Sequence, residues 1–225
     1  MKQVEGTRVV PLQAGAGPDN PPCPACGEPL FGWIGPKRGL PGPVRRCESC
    51  GLGVVGVPGD AEEGLRELDA RRQGETIQIA NRASFACSIG GAGWSGLQPD
   101  SWFLSVAERP KGTTQGARHL FTPEAVRRLV ARRNQVVTSQ RWRPVASLAA
   151  TWQTLLNSVT FGHNVALGGL GHATATPARS TWQRRIDALA SAILAIPALL
   201  LAIPIEVAGG LTGRGAVISL RTELL

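Results

Sequence analysis

The sequence reads Cys23-Pro-Ala-Cys26-Gly27 and, after a short spacer, Cys47-Glu-Ser-Cys50-Gly51. Each C-x-x-C pair can offer two thiolates from one tight turn, and two such turns supply the tetrahedral sulfur cage that Zn²⁺ prefers. A glycine follows each pair, where the backbone bends sharply and a Cβ would obstruct it. The spacing therefore predicts a structural zinc site whose ligands are Cys23, Cys26, Cys47 and Cys50.

Two disulfides are the alternative use of these cysteines, and they would require an exported protein. Residues 1–13, MKQVEGTRVVPLQ, contain no continuous apolar stretch and no cleavage-site pattern. We therefore expect a cytoplasmic protein with reduced thiols. Four sulfur ligands leave no open coordination position, so this zinc would be structural rather than catalytic. The fifth cysteine, Cys87, is predicted to be a buried thiol.

The charge of the chain is strongly basic, with a formal net charge of +8 and a pI near 10.2. Such a balance is compatible with nucleic acid or with an anionic membrane surface. However, the arginines are scattered in pairs, and the chain has no tyrosine and 5 phenylalanines to stack on bases. The composition therefore does not favour specific nucleic-acid binding. A protein partner or a membrane surface remain as partners, and the oligomeric state is open.

Proline and glycine divide the chain into three predicted parts. Residues 1–22 are a flexible lead-in, residues 23–57 are the zinc ribbon, and residues 58–225 form a second, α/β or α+β domain. Short strands are expected in the ribbon at 30–34, 44–46 and 52–57. Metal binding would be its main source of folding energy, because so small a unit buries little apolar area.

The first half of the second domain contains one helix, one strand and a glycine-rich segment. Asp60 is a good N-cap for a helix over 61–72, with Leu65 and Leu68 on one side and Glu/Arg pairs on the other. Residues 76–81 alternate as a strand does. Residues 88–96, SIGGAGWSG, have neither the Lys-Ser/Thr of a P-loop nor the G-x-G-x-x-G order. We therefore predict a flexible loop there.

The next stretch has the clearest helix signals. Thr122 is an N-cap, Pro123 suits the first helical position, and Asn134 can end the helix in the left-handed conformation before a strand at 136–137. A second apolar helix is then predicted from Trp142, Leu148, Trp152, Leu155, Leu156 and Val159. Residues 162–177 read as a mobile loop, in which His163 and His172 lack neighbours at metal-ligand spacing.

Residues 188–205, ALASAILAIPALLLAIPI, are apolar except for Ser191. As a helix they would reach about 27 Å, near the ~30 Å of a hydrocarbon core. Two alternatives stay open. One is a membrane span with the arginine pair on its cytoplasmic N-terminal side. The other is a buried or interfacial hairpin of two short helices broken at Pro197, so the segment is either embedded in a membrane or packed in a soluble core. A glycine turn and a final strand at 216–220 follow. If residues 188–205 spanned a membrane, this strand would lie alone on the far side, which weakens the simple spanning alternative.

Three stretches together resemble a known family. They are the cysteine motifs CPACG and RCESCGL, the run Arg118-His119-Leu120-Phe121-Thr122-Pro123-Glu124, and the apolar stretch before the last strand. They are similar to the ribbon and the late catalytic domain of zinc-ribbon-bearing class I S-adenosylmethionine-dependent methyltransferases. The resemblance implies a Rossmann-like domain, S-adenosylmethionine as cofactor and methyl transfer to an acceptor. It aligns His119 with the family's histidine.

One part of that family's pattern is missing. Between Gly51 and Thr76 there is no acidic-x-Gly-x-Gly-x-Gly turn and no room for about four strands of the usual sheet. No cofactor-binding or catalytic residue can therefore be assigned, and the Rossmann-like domain is expected to be incomplete. Two functions follow as hypotheses. One is a shortened methyltransferase-like protein that is either inactive or, if active, transfers a methyl group from S-adenosylmethionine to an unknown acceptor with cofactor contacts from a partner chain. The other is a non-enzymatic membrane-associated zinc ribbon presenting Trp33 to a partner.

Overall fold

The computed structural model describes residues 20–35, 42–97, 119–169, 178 and 180–225. Helix makes up 47% and strand 23% of the structure, which confirms the mixed helix-and-sheet class. The elements in chain order are β1 Leu30–Ile34, β2 Val44–Cys47, β3 Gly53–Val55, α1 Ala61–Ala70, β4 Arg72–Gln73, β5 Thr76–Ala80, α2 Phe85–Gly90, β6 His119–Leu120, α3 Pro123–Ala131, β7 Gln135–Trp142, α4 Pro144–Asn157, α5 Val165–Gly169, α6 Thr181–Leu211 and β8 Val217–Leu224.

The first sheet has the order β1-β2-β3-β6, with each neighbouring pair antiparallel. The three predicted ribbon strands are present, and Leu30, Val44 and Val54 are buried in them. The fourth strand, β6, comes from much later in the chain and pairs with β3. The ribbon therefore shares its sheet with a segment that the sequence assigned to the second domain.

The second sheet has the order β4-β5-β8-β7, and its neighbouring strands are also antiparallel. Since β8 lies antiparallel between β5 and β7, those two strands run in the same direction. The last strand of the chain is thus the centre of the sheet. The Rossmann-like methyltransferase sheet expected from the sequence stays a prediction.

Helices α1 and α3 pack on one face of this sheet. Asp60 caps α1 by accepting a hydrogen bond from the Glu63 N–H at 2.8 Å, and Thr122 caps α3 in the same way. Both caps were predicted. Apolar residues of both helices meet Ile77 and Ile79 of β5 and the ribbon cysteines in one buried cluster. The ribbon and the body therefore share a core.

The opposite face is covered by α2 and α4, and here the prediction for the glycine-rich segment was wrong. Residues 88–96 end α2 and continue as two 3₁₀ turns. Trp94 and Ser95 are buried, and the Ser95 hydroxyl donates to the Ala150 carbonyl of α4 at 2.9 Å. Small glycines are needed because the Trp94 ring and α4 approach the backbone closely.

Two further predictions need correction, and a third is largely untested. Trp142 ends strand β7 instead of starting a helix, because its ring packs on Gly210 and Gly215. Part of the predicted 162–177 loop is helix α5, and residues 170–177, which include His172, lie outside the described residues. The lead-in prediction for 1–22 also falls largely outside them.

Helix α6 is continuous through Pro197 and Pro204, so the predicted hairpin broken at Pro197 was wrong. It begins at Ser180 with a capping box that involves Gln183. The alternative of a core helix was also wrong, because only 11% of its most apolar window is buried. The final strand does not stand alone, as it would have to after a simple membrane span, because β8 pairs with β5 and β7.

Candidate metal centre

The four predicted ligands converge at one end of the first sheet. Their sulfur atoms all lie within 4.8 Å of one another, with 3.6 Å between Cys23 and Cys50 and 3.4 Å between Cys26 and Cys47. Zn–S bonds of about 2.3 Å in a tetrahedron place sulfur atoms about 3.8 Å apart. The cage therefore fits a zinc ion.

Two similar turns build the cage. The Gly27 N–H donates to the Cys23 carbonyl at 2.8 Å, and the Gly51 N–H donates to the Cys47 carbonyl at 3.1 Å. Both glycines have positive φ, +82° and +75°. The glycine after each cysteine pair is thus required by backbone conformation, as the sequence predicted.

Hydrogen bonds between the four thiols shift their pKa values in opposite directions, up for Cys23 and Cys50 and down for Cys26 and Cys47. Hydrogen bonds with the other three cysteines hold the pKa of the Cys47 thiol far below its usual range. The hydrogen bond with Cys23 is the main reason that the pKa of Cys26 falls to about 6. Part of the cluster is therefore thiolate at neutral pH, which is the form that binds metal.

The cage is closed on the protein side. Cys23, Cys47 and Cys50 are buried and Cys26 is partly buried. With four sulfur ligands an ion would have no open position for substrate or water, so it would hold structure and not catalyse a reaction.

The second cysteine turn is fastened to the body by three side chains. Thr122 Oγ1 donates to the Cys50 carbonyl at 2.6 Å. Arg82 Nη1 donates to the Gly51 carbonyl at 2.6 Å, and Arg128 Nη1 lies 3.1 Å from Ser49 Oγ. The metal cage therefore has a fixed position relative to α3.

The other candidate residues lie away from the cage. Cys87 is buried, and burial raises the pKa of its thiol to about 12, which makes it inert. His163 is buried. Trp33 is half-buried, and the Arg82 guanidinium stacks 4.6 Å from its ring centre. Trp33 is therefore a packing residue, and Phe31 is the exposed aromatic side chain of β1.

His119 belongs to a charged network that the sequence did not indicate. Its Nδ1 lies 2.8 Å from Glu67 Oε2, and Glu67 also pairs with Arg71. Burial opposes ionisation, but Arg71 and His119 outweigh it and lower the pKa of Glu67. The Glu/Arg side of α1 is therefore largely shielded from solvent at this pair. The i, i+4 spacing of Glu67 and Arg71 was the available signal.

An open polar depression of about 460 Å³ lies on the sheet face beside α4. Residues in or next to strands β5, β7 and β8 line it: three arginines, one acidic residue, Trp142 and neutral polar side chains. The charged residues are Arg141, Arg143, Arg221 and Glu75. Arg221 is already paired with Glu75 at 2.6 Å and with Glu223 at 3.3 Å. The depression is therefore polar with a positive excess, and the described residues that line it include no catalytic pair.

Helix α6 has an unusual distribution of side chains. Its buried residues are small or acidic: Asp187, Ala198, Ala202, Glu206 and Gly209. Its exposed residues are large and apolar: Leu189, Ile193, Ile196, Leu199, Leu200, Leu201, Ile203, Val207 and Leu211. By length and composition α6 could cross a membrane.

Comparison with protein-family models, with curated proteins and with solved structures finds no match to this chain.

Proposed function

We propose that this chain is a non-enzymatic zinc-ribbon module that associates with a membrane through α6. The observation that carries the proposal is the inverted surface of that helix. A helix on the surface of a water-soluble protein normally turns its large apolar side chains inward and its polar ones outward. In α6 the acidic and small residues are buried against the body of the protein, and a run of leucines and isoleucines is exposed.

The two buried carboxylates of α6 have specific hydrogen-bond partners, which supports a fixed orientation of the helix over loose packing. Asp187 accepts hydrogen bonds from the N–H groups of Phe161 at 2.8 Å and Gly162 at 2.9 Å. Glu206 accepts from the Ala216 N–H at 3.1 Å and from the Thr151 hydroxyl. If the helix turned its apolar face inward, both carboxylates would lose these hydrogen-bond partners. An exposed contiguous apolar patch of this kind marks an interaction surface.

The ribbon would then serve as the part that faces a protein partner. It is rigid, because a closed zinc cage and the α3 contacts hold it, and it exposes Phe31, which pairs with Arg46 of β2. In this proposal zinc stabilises the shape of the module and takes no part in chemistry.

Cell fractionation tests the membrane association. We expect the full chain in the membrane pellet and a variant with I196E and L200E in the supernatant. Both side chains are more than 60% exposed, so the substitutions should leave the fold and the zinc content unchanged. A wild-type chain found wholly in the supernatant, folded and zinc-loaded, would contradict the proposal.

A shortened methyltransferase-like protein is the second candidate, supported by the order of elements. Helix α3 precedes strand β7, and an apolar helix and a glycine turn precede β8, as the resemblance implies. The chain would then be related to S-adenosylmethionine-dependent methyl transfer, with cofactor contacts from another chain if it is active. Against unaided activity, strand β4 already pairs with β5 on the edge where further strands would add.

Calorimetry with S-adenosylmethionine separates the two candidates. The non-enzymatic module predicts no binding heat at high micromolar cofactor with zinc-loaded protein. Saturable heat would favour the methyltransferase-like candidate, and the measurement should be repeated with any chain that copurifies.

A further inference from the structure

Both ends of α6 are fastened to the same folded body. Near the N-terminal end, Asp187 binds the backbone of Phe161 and Gly162 just after α4. Near the C-terminal end, Glu206 binds Thr151 of α4 and the backbone of Ala216. Between them, Trp152 Nε1 donates to the Ala195 carbonyl at 2.8 Å. One side of the helix is therefore held along α4 through most of its length.

The strand after α6 returns to a sheet whose other strands come before it. Strand β8 pairs with β5 over residues 76–80 and with β7 over residues 135–142. If α6 crossed a bilayer, β8 would lie on the opposite side from both partners. Crossing would therefore dismantle the centre of the sheet, whereas a helix lying in the plane of the membrane keeps it intact.

The two prolines favour contact of the exposed face of α6 with a hydrated bilayer surface over contact with a second copy of the chain. Pro197 and Pro204 lie on the exposed side of α6 and have no N–H to donate to the carbonyls of Ile193 and Leu200. Contact with a second copy would bury these carbonyls in an apolar interface, at a cost in free energy for each unpaired group. The headgroup region of a bilayer contains water that can hydrate them while the side chains reach the acyl chains.

The N-terminal end of α6 carries groups that suit an anionic bilayer surface. Trp182 and Phe161 are both exposed and form an edge-to-face pair with ring centres 5.7 Å apart. Arg184 and Arg185 are exposed beside them, and residues 188–205 carry no charge. Aromatic rings at the headgroup level and arginines near lipid phosphates are the usual anchors of membrane-bound helices.

From these observations we infer that α6 lies flat in one leaflet of an anionic bilayer, with its leucine and isoleucine face in the acyl region and Arg184 and Arg185 at the phosphates. This inference rests on the membrane association proposed above and adds its orientation and its lipid. The ribbon and the sheet stay on one side of the membrane.

Flotation with vesicles tests the lipid. Zinc-loaded full-length chain is mixed with vesicles of phosphatidylcholine alone or with a quarter phosphatidylglycerol. We expect at least about tenfold stronger binding to the anionic vesicles, and a loss on the order of tenfold for R184Q/R185Q. The matched control is R66Q/R132Q, which removes the same charge from α1 and the end of α3 on the opposite face of the sheet, and it should bind anionic vesicles as the wild type does.

Protease protection tests the orientation. The full chain carries a different epitope at each terminus and is expressed in cells from which sealed vesicles are prepared. A helix in the plane leaves both epitopes on the same side, so protease added to that side removes both. Protection of one epitope and loss of the other would mean that α6 spans, and would overturn the inference while leaving membrane association in place.

Two other outcomes are decisive. Equal binding to neutral and anionic vesicles would overturn the lipid assignment alone. No binding to either vesicle, together with a dimer that I196E dissociates, would overturn both the inference and the proposed membrane association, because the exposed face would then belong to a second copy.

Discussion

Thr122 Oγ1 lies 2.6 Å from the carbonyl oxygen of Cys50 and donates a hydrogen bond to it. Thr122 Oγ1 also accepts a hydrogen bond from the Ala125 N–H at 3.1 Å and so caps α3. One hydroxyl group therefore joins the first turn of a helix to a turn of the metal cage. This contact couples the zinc ion to the body of the protein.

Replacing Thr122 with alanine should lower the free energy of unfolding of the zinc-loaded protein by about 1–2 kcal/mol, since an N-cap and a buried hydrogen bond are lost together. Thr122→Ser keeps the hydroxyl and is the control. Denaturant titration measures both. Equal stability of the alanine and serine variants would show that the hydroxyl contributes nothing.

Cys47→Ser should remove bound zinc, because a structural site needs four ligands. Elemental analysis of protein purified in reducing buffer should find stoichiometric zinc in the wild type and none in the variant. The control is C87A, since Cys87 lies outside the cage and should not affect zinc content.

Zinc removal should also reach beyond the ribbon, because the cysteines share a buried cluster with α1 and α3. Hydrogen exchange should show faster exchange of α3 amides in chelated protein. A ribbon that opens alone, with α3 amides unchanged, would contradict the shared core.

The elements that the sequence predicted well are those whose signals are local. The cysteine pairs, the caps Asp60 and Thr122, and the strand at 76–81 follow from neighbouring residues. The burial of Glu67 could not be predicted, because its partner His119 is 52 residues away. Periodicity likewise finds an apolar run in α6 but does not show which side faces the body, since that depends on the carboxylates at its ends.

Glu67→Gln should change how stability depends on pH. Because Arg71 and His119 lower the folded pKa of Glu67, its carboxylate stabilises the fold above its unfolded pKa of about 4.3, and this stabilisation is lost as the pH falls through the folded pKa. At pH 7 we expect the variant to be less stable by about 3 kcal/mol, since it leaves a guanidinium without its buried partner.

The difference between wild type and E67Q should shrink below about pH 4.3. Taking the difference in the same buffers cancels the loss of zinc in acid, which affects both proteins. E62Q is the control, because the exposed pair of Glu62 with Arg133 should contribute less than about 1 kcal/mol at any pH. A constant difference between E67Q and wild type from pH 7 to 3 would argue against this role.

The inverted packing of α6 predicts an inverted sensitivity to substitution. Ala202 is fully buried against the body, so A202L should lower the free energy of unfolding by about 1–3 kcal/mol through overpacking. Leu200 is 64% exposed, so L200Q should change the stability of the protein in water by less than about 0.5 kcal/mol. Thermal melts of both variants would reveal the reverse order if the leucines faced the core.

Gly96→Ala distinguishes a packed glycine segment from a flexible loop. A Cβ at Gly96 would lie 2.4 Å from Cζ2 of the buried Trp94 ring. The ring cannot move away freely, because the neighbouring Ser95 is hydrogen-bonded to Ala150 and Thr154 of α4. We therefore expect a loss of about 1–3 kcal/mol from overpacking. In G32A the added Cβ meets nothing within 4 Å, so this control should stay within about 0.5 kcal/mol of wild type. In a flexible loop, G96A would instead be neutral or slightly stabilising, because alanine restricts the unfolded chain.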